Sequence, residues 1–386
     1  MQQRELGKTG LMVSEVGLGC EHLQGLPAGQ VNDVIACALD QGVNILDIFM
    51  SEPNVRNHIG AAIKSRRQKI ILQAHIGSIW QNGQYARSRD LNQCRTFFDD
   101  YLARLDTDYL DIGMLHFCDS LEDLDQLIDH GILDYAHDLK RNGRIRAVGL
   151  SSHDPHTAMT AVETGKIDVL MFSLNPAFDI LPDATGIDDL FKHTTFQGRG
   201  GQGIHPARET LVQTCAAMGT GVTVMKGFAG GMLLSDQGSP FGTALTPVQC
   251  ISYALSRPAT ASVMAGCRTT EEVLAATAWQ TASAEEKDFA LALSRTPEYS
   301  VEGKCMYCNH CLPCPAHIDI AQVLKYHDLL LATGGDPNRS ATIQAHYSAL
   351  EHHASDCIHC GQCETRCPFS VAVMEKMNLA AHTFNI

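Results

Sequence analysis

With 386 residues, 45% hydrophobic and 19% charged, the chain has an ordinary soluble composition and room for two or three domains. Its net charge of −14 argues against a nucleic-acid partner, which would need a basic patch. The start MQQRELGKTG lacks the apolar stretch of a signal peptide, and no apolar run reaches the ~18 residues of a membrane span, so a cytoplasmic location without a membrane partner is expected.

The opening RELGKTGLMVSEVGLG reads as strand–turn–strand around Gly10, placed to cap the floor of a barrel. Short apolar runs then recur: EVGLGC, VNILDI, KIILQAHIG, LDIGMLHF, IRAVGLSSH, IDVLMFSLN, GVTVMKG and ATASVMAG. Helix-length segments alternate with them, at 30–41, 54–64, 90–105, 131–142, 155–164, 206–218, 246–256 and 270–281. Strands that are apolar throughout suit a sheet buried on both faces, as parallel βαβ units produce. Eight such units within 1–282 predict a closed (β/α)8 TIM barrel, an α/β fold, rather than an open sheet. The Gly-rich loop 193–206 is expected to lie over the barrel mouth. A shift in composition near residue 300 sets a boundary within 282–302. It divides the chain into a barrel, 1–290, and a mainly helical second domain, 291–386.

Seven of the fifteen cysteines are scattered before residue 300, and eight are packed between Cys305 and Cys367. The packed set forms CMYCNHCLPCP and CIHCGQCETRCP, two CxxCxxC runs each with a further Cys-Pro, the signature of paired [4Fe–4S] clusters in a ferredoxin-like domain. In that arrangement the last cysteine of each run serves the other cluster. Cys305, Cys308, Cys311 and Cys367 are therefore assigned to one cluster, and Cys357, Cys360, Cys363 and Cys314 to the second. The first run has two residues rather than three before its Cys-Pro, which bears on the crossing. Zinc would instead favour four thiolates, or a Cys/His mixture, from two separated pairs.

Barrel active sites lie at the C-terminal ends of the strands. Polar residues there are Cys20, Glu21 and His22 after the first strand, Asp47 and Glu52 after the second, His75 after the third, and His116 and Cys118 after the fourth. Ser151, Ser152 and His153 follow the fifth, Asn175 the sixth, Lys226 the seventh and Arg268 the eighth. Four imidazoles and several carboxylates on one rim suit proton transfer near neutral pH, and equally a divalent metal. Of the scattered thiols, Cys20, Cys118 and Cys267 fall near the mouth, where small buried hydrophobes are the simpler reading.

The stretches GKTGLMVSEVGLG, LDIGMLHF, IRAVGLSSH, FSLNP and VMKGFAGGMLL, over about residues 3–280, resemble the aldo-keto reductases. With the cysteine motifs, the chain resembles the branch that joins such a barrel to a two-cluster ferredoxin module. The resemblance implies an Asp-Tyr-Lys-His tetrad whose tyrosine protonates a carbonyl while NADP(H) delivers hydride. Asp47 and His116 match two of its members, and the alignment sets Glu52 in the tyrosine position and His75 in the lysine position. Ser151 and Asn175 match residues that hold the nicotinamide carboxamide, and Arg268 the arginine near the adenosine phosphate. Met225 and Lys226 stand where an aromatic would stack on the nicotinamide, and Ala275-Ala276 replace a Glu-Asn pair.

The expectation is an iron–sulfur oxidoreductase that passes single electrons between two [4Fe–4S] clusters and a small polar substrate in the barrel mouth. Asp47, Glu52, His75 and His116 would handle protons there, with an external carrier such as ferredoxin on the electron side. Two other readings stand beside it. One is an NADP(H)-dependent carbonyl reductase with Glu52 as its acid; the other is an electron-carrier subunit without a substrate.

Overall fold

The computed structural model describes residues 1–181, 189–190, 192–196, 204–294, 303, 305–332 and 341–385. Eight parallel strands close into a barrel: Val16–Gly19, Ile45–Ile48, Ile71–Ile76, Ile112–Leu115, Ala147–Ser152, Val169–Ser173, Gly221–Met225 and Thr260–Gly266. All eight coincide with the apolar runs of the sequence. Closure is made by the last strand against the first, with Val263 opposite Val16 and Gly266 opposite Gly19.

The helices form where the sequence supplies both an apolar stripe and a start signal. In Ala28–Asp40 the buried residues are Val31, Val34, Ile35 and Ala38, one face at helical spacing. Four helices begin with proline at the first position, whose missing N–H costs nothing there: Pro53, Pro155, Pro206 and Pro247. Side-chain oxygens of Asp90, Asp154 and Thr246 cap the first turns of their helices.

The barrel floor is closed by the hairpin of Gln3–Glu5 and Met12–Ser14. Leu6, Leu11 and Val13 from this hairpin pack against Ile45, Ile71, Ile112 and Val169, which begin barrel strands. The mouth is therefore the end left open to chemistry.

Two elements have no counterpart in the sequence-based expectation. A second hairpin, Ser78–Gln81 with Gln84–Arg87, rises directly after the third barrel strand, turning at Asn82 and Gly83, both at positive φ. An added helix, Leu121–Asp129, comes after the fourth strand. Of the loop 193–206, residues 197–203 lie outside the described part, and His193–Phe196 forms a short helix.

Beyond the barrel, the helices Ile320–Ala332, Ala341–Ser348, Gln362–Arg366 and Val373–Phe384 surround the two cysteine runs. Tyr347 stacks on Phe384 with ring centres 3.7 Å apart, and Ile320–Ala332 packs against the barrel helix Pro206–Met218. Among the described residues no helix is long and apolar enough to cross a membrane.

Candidate active site and iron–sulfur centre

Strand geometry puts alternate residues on one face. Gln73 and His75 of the third strand therefore both project into the barrel, beside Asp47 of the second. Gln73 Nε2 donates to Asp47 Oδ1 at 2.7 Å, and Gln73 Oε1 accepts from Thr223 of the seventh strand at 3.2 Å, tying opposite walls together. His75 Nε2 lies 3.1 Å from the same Asp47 oxygen, and His75 Nδ1 lies 2.8 Å from His116 Nδ1.

The series continues outward. His116 Nε2 is 2.6 Å from the hydroxyl of Tyr85, on the second hairpin. Asp47, His75 and His116 are 3–5% exposed, whereas Tyr85 is 42% exposed, so this row of four groups meets solvent at its phenol end. Phe49 stacks on His116 with ring centres 5.7 Å apart and stands edge-on to Tyr85 at 6.0 Å. The hairpin is pinned at its base: Ser51 donates to Ile79 O at 2.5 Å, and Arg87 donates to Phe117 O at 2.9 Å and to Asp123 at 3.0 Å.

Burial, together with His75 and the guanidiniums of Arg89 and Arg87, pushes the His116 pKa well below the usual imidazole range, so this ring is neutral. Burial raises the phenol of Tyr85 above its ordinary value, against the opposing pull of Arg87 and Arg89. Two hydrogen-bond patterns are consistent with a carboxylate at Asp47. With both imidazoles neutral, every proton points inward, and Tyr85 donates to His116 and presents only lone pairs to the mouth. One further proton on His75 reverses the outer bonds. His116 Nε2–H then donates to Tyr85, whose own O–H is released toward the mouth.

The expectation for Glu52 is corrected. Its carboxylate is the N-cap of Pro53–Ile63 and accepts the Val55 N–H at 2.6 Å. The phenol that meets His116 comes from another loop, as Tyr85. Removing the cap in Glu52→Ala should lower stability by about 1 kcal/mol in chemical denaturation. Glu52→Gln should keep most of the turnover, and a lost turnover in that variant would restore Glu52 as the acid.

The other rim residues take structural places. His153 is held by Asp119, with Nδ1 3.0 Å from Oδ2 and its backbone N–H donating to Oδ1 at 2.7 Å. Glu21 and His22 line the rim beside the first strand and both are exposed, the His22 ring lying against Gly266. Cys20, Cys118 and Cys267 are buried thiols whose pKa values burial raises, to about 12 for Cys118 and Cys267. Among the described residues, no three His, Cys, Asp or Glu side chains converge as they would on a single ion, so the divalent metal considered for the mouth finds no ligand set.

The C-terminal cysteines line two cavities. Cys305, Cys308, Cys311 and Cys367 surround one, with Tyr307, Ile320, Ala321 and Leu324 in its wall. Cys314, Cys357, Cys360 and Cys363 surround the other. Each cavity thus takes three cysteines from one run and the fourth from the other. Four cysteines lining one space suit the four corners of a [4Fe–4S] cube. Left-handed residues between the cysteines, Tyr307, Asn309, His359 and Gly361, curl the backbone around each cavity. Arg366 bridges the two runs, donating to Cys311 O and Pro313 O at 2.8 Å each.

Comparison with known proteins agrees with this arrangement. Residues 15–244 match the aldo/keto reductase family. The chain belongs to that family. Residues 304–372 match a 4Fe-4S dicluster domain. It is 32% identical over 187 residues to the uncharacterized oxidoreductase YqkF of Bacillus subtilis, covering 47% of this chain and 59% of that protein. It is 25% identical over 190 residues to the NADH-specific methylglyoxal reductase of Escherichia coli, covering 44% of this chain and 58% of that protein. The chain therefore spans about three fifths of the length of these relatives. A likeness of fold extends to the aldo-keto reductase AKR11C1 from Bacillus halodurans in its holo form, with TM-score 0.58 and 24% identity over 78% of this chain and 98% of that one.

Aldo/keto reductases commonly bind NADP(H), but the residues present here do not fit it. Asn175 is fully buried, with Nδ2 donating to Lys226 O and Oδ1 accepting from Ala177 and Phe178 N–H groups. Ser151 is buried, and its Oγ accepts the Phe117 N–H at 2.8 Å. The Asn175 carbonyl oxygen is thus taken up by two backbone N–H groups, and both side chains are buried. At the phosphate end, Glu272 accepts the Arg268 N–H at 2.6 Å, and Glu271 and Glu272 occupy the first helical turn. Carboxylates there repel the anion that a helix N-terminus would otherwise attract. Titration with NADPH should give a dissociation constant above about 100 µM, less than ~5.5 kcal/mol of binding. A sub-micromolar value would refute this.

Proposed function

We propose that the protein is an iron–sulfur oxidoreductase in which the barrel row Tyr85–His116–His75–Asp47 moves protons for a small polar carbonyl or hydroxyl substrate. The observation that carries this reading is the unbroken row of short contacts, 3.1, 2.8 and 2.6 Å, from a buried carboxylate to a phenol at the mouth. Residues 1–290 serve as the catalytic barrel and 291–386 as the electron wire. Cys305, Cys308, Cys311 and Cys367 hold one cluster and Cys314, Cys357, Cys360 and Cys363 the other. The clusters supply one-electron transfer when bound.

Interconversion of a carbonyl and an alcohol moves two electrons and two protons. Tyr85 gives or takes the proton at the substrate oxygen, the two clusters together would supply or take the two electrons singly, and the second proton, at carbon, exchanges with water at the open mouth, where Tyr85 itself is 42% exposed. With His75 protonated, Tyr85 is a donor to a carbonyl. With His75 neutral, Tyr85 accepts a proton from an alcohol. His116 stays neutral and passes the proton between Nδ1 and Nε2, while Asp47 balances the charge of a protonated His75. Phe49 and the hairpin hold the phenol in line and shield the inner imidazoles from water.

The two cavities differ in exposure. Cys360 is exposed and Ile358 beside it is 63% exposed, which suits electron exchange with an external cytoplasmic carrier such as ferredoxin. The other cavity faces helix Ile320–Ala332, which packs on the barrel.

The test is anaerobic turnover of methylglyoxal and a panel of small carbonyl compounds with either reduced methyl viologen or NADPH as donor. Turnover with viologen and little with NADPH supports the proposal. NADPH-driven turnover that is unaffected by cluster loss would replace it with a nicotinamide-dependent reductase.

A further inference from the structure

The seam between the barrel and the cluster module holds a charge cluster that neither the proton row nor the cysteine cavities use. Lys325 Nζ lies 3.7 Å from Glu209 Oε1, and Arg257 Nη1 lies 3.6 Å from Glu209 Oε2. Asp179 lies 3.6 Å from Arg208 and 3.9 Å from Arg257, and accepts the Tyr253 hydroxyl at 2.8 Å. All five charged groups are at most 5% exposed. Three are cations and two are carboxylates, so this set of ion pairs leaves one positive charge in excess.

A buried charge without a counter-charge is costly. Nearby negative charge lies around one aromatic ring: Asp328 accepts the Tyr307 hydroxyl at 2.9 Å and is itself paired with Lys376 at 3.6 Å, and beyond the ring lies a cysteine cavity. Lys325 Nζ sits 5.4 Å from the centre of the Tyr307 ring. Tyr307, and Leu324, Ala321 and Ile320 from the helix of Lys325, line the cavity of Cys305, Cys308, Cys311 and Cys367. A cluster held there by four thiolates is anionic, and more so when reduced. The second cavity also has a cation, the half-buried Arg366, whose guanidinium is tied to Cys311 O and Pro313 O, but its wall holds no buried ammonium group among the described residues, and its Cys360 is exposed.

Resting on the cluster assignment above, we infer that Lys325 sets the reduction potential of the inner cluster, raising it so that electrons entering at the exposed cluster settle beside the barrel. Burial alone disfavours the extra negative charge of the reduced state, and would leave the inner cluster the harder of the two to reduce. An ammonium group held behind the Tyr307 ring offsets that penalty. Glu209 moderates the effect by pairing with Lys325. It also links the inner cluster, through Arg257, to Asp179, whose backbone N–H bonds to Asn175 O at the end of the sixth strand. Lys325 is thus a positioning charge for electron transfer and does not touch substrate.

The test is a potentiometric titration of the full-length holoprotein followed by electron paramagnetic resonance, with the inner signal assigned by comparison with Cys363→Ser. Lys325→Met should lower the ratio of reduced to oxidised inner cluster at fixed potential at least tenfold, about 59 mV for a one-electron couple, and leave the outer cluster unmoved. Lys325→Arg should behave as the wild type. Glu209→Gln should shift the inner midpoint in the opposite direction, upward, which a merely structural role would not produce. An unmoved inner midpoint in Glu209→Gln, or equal shifts of both clusters in Lys325→Met, overturns the inference. Iron and sulfide analysis separates the layers. Wild-type protein with fewer than two clusters removes the cluster assignment itself, whereas full clusters with unmoved midpoints remove only the role of Lys325.

Discussion

Tyr85→Phe is expected to reduce turnover by about 10²- to 10⁴-fold, the range for loss of a positioned general acid or base. The change removes one oxygen. The ring still stands edge-on to Phe49, and the hairpin keeps its anchors through Ser51 and Arg87. Tyr85 is 42% exposed, so water can reach the vacated partner of His116 and the stability change should be small. His116→Asn cuts the same row one step further in and should produce a loss of similar size. Combining the two should cost little more than either alone, because both act on one proton path. The measurement is steady-state turnover of the three variants with equal iron content. If Tyr85→Phe keeps more than about half of wild-type turnover, or if the double variant shows multiplied losses, the row is not the proton path.

Cysteine replacements should have the second large effect, in a pattern that the two cavities dictate. Anaerobic protein should carry about eight iron and eight sulfide per chain, as two four-iron cubes. Cys314→Ser and Cys363→Ser should lose the same cluster although they belong to different runs, because both line one cavity. Cys367→Ser should lose the other one, with Cys305, Cys308 and Cys311. Each variant should keep about four iron and denature more readily, since cluster binding and folding of this domain are linked. The measurement is iron and sulfide content with visible absorbance for the three variants. Loss of the same cluster in Cys363→Ser and Cys367→Ser would mean that each run holds its own cluster without crossing. About two zinc per chain and no brown colour would exclude clusters altogether.

Much of this architecture is legible in the sequence because its physical signals are local. The barrel strands are short, continuously apolar runs, and the helices begin at proline or a capping side chain, so both register strongly. The grouping of the cysteines around two cavities, three from one run and one from the other, is also legible, since it follows the spacing of CxxCxxC with a distant Cys-Pro. The second hairpin is harder to see, although its signal is present. Asn82-Gly83 between SIWQ and QYAR is a two-residue turn flanked by strand residues, but it comes after KIILQAHIG with little break and merges with the connection to the next helix.

The hidden hairpin accounts for the error at Glu52. Matching the family tetrad by position presumes that the proton donor comes from the loop after the second strand. The phenol beside His116 instead arrives from the third connection, while Glu52 caps its helix. Gln73 is legible in principle, lying two residues before His75 on the inner face of the same strand. The seam is not. Asp179, Glu209, Arg257 and Lys325 are spread over nearly 150 residues, and no local pattern records that they meet.

Substrate chemistry at Tyr85 should draw on electrons held in the C-terminal clusters. The most direct test of this is anaerobic stopped-flow mixing of dithionite-reduced, desalted protein with the carbonyl compound that gives the fastest turnover, monitoring the return of cluster absorbance. The account predicts substrate-dependent reoxidation of the clusters in the wild type, and reoxidation slowed at least 100-fold in Tyr85→Phe at unchanged iron content. Clusters that stay reduced in the presence of that compound, while NADPH supports its conversion, would contradict it.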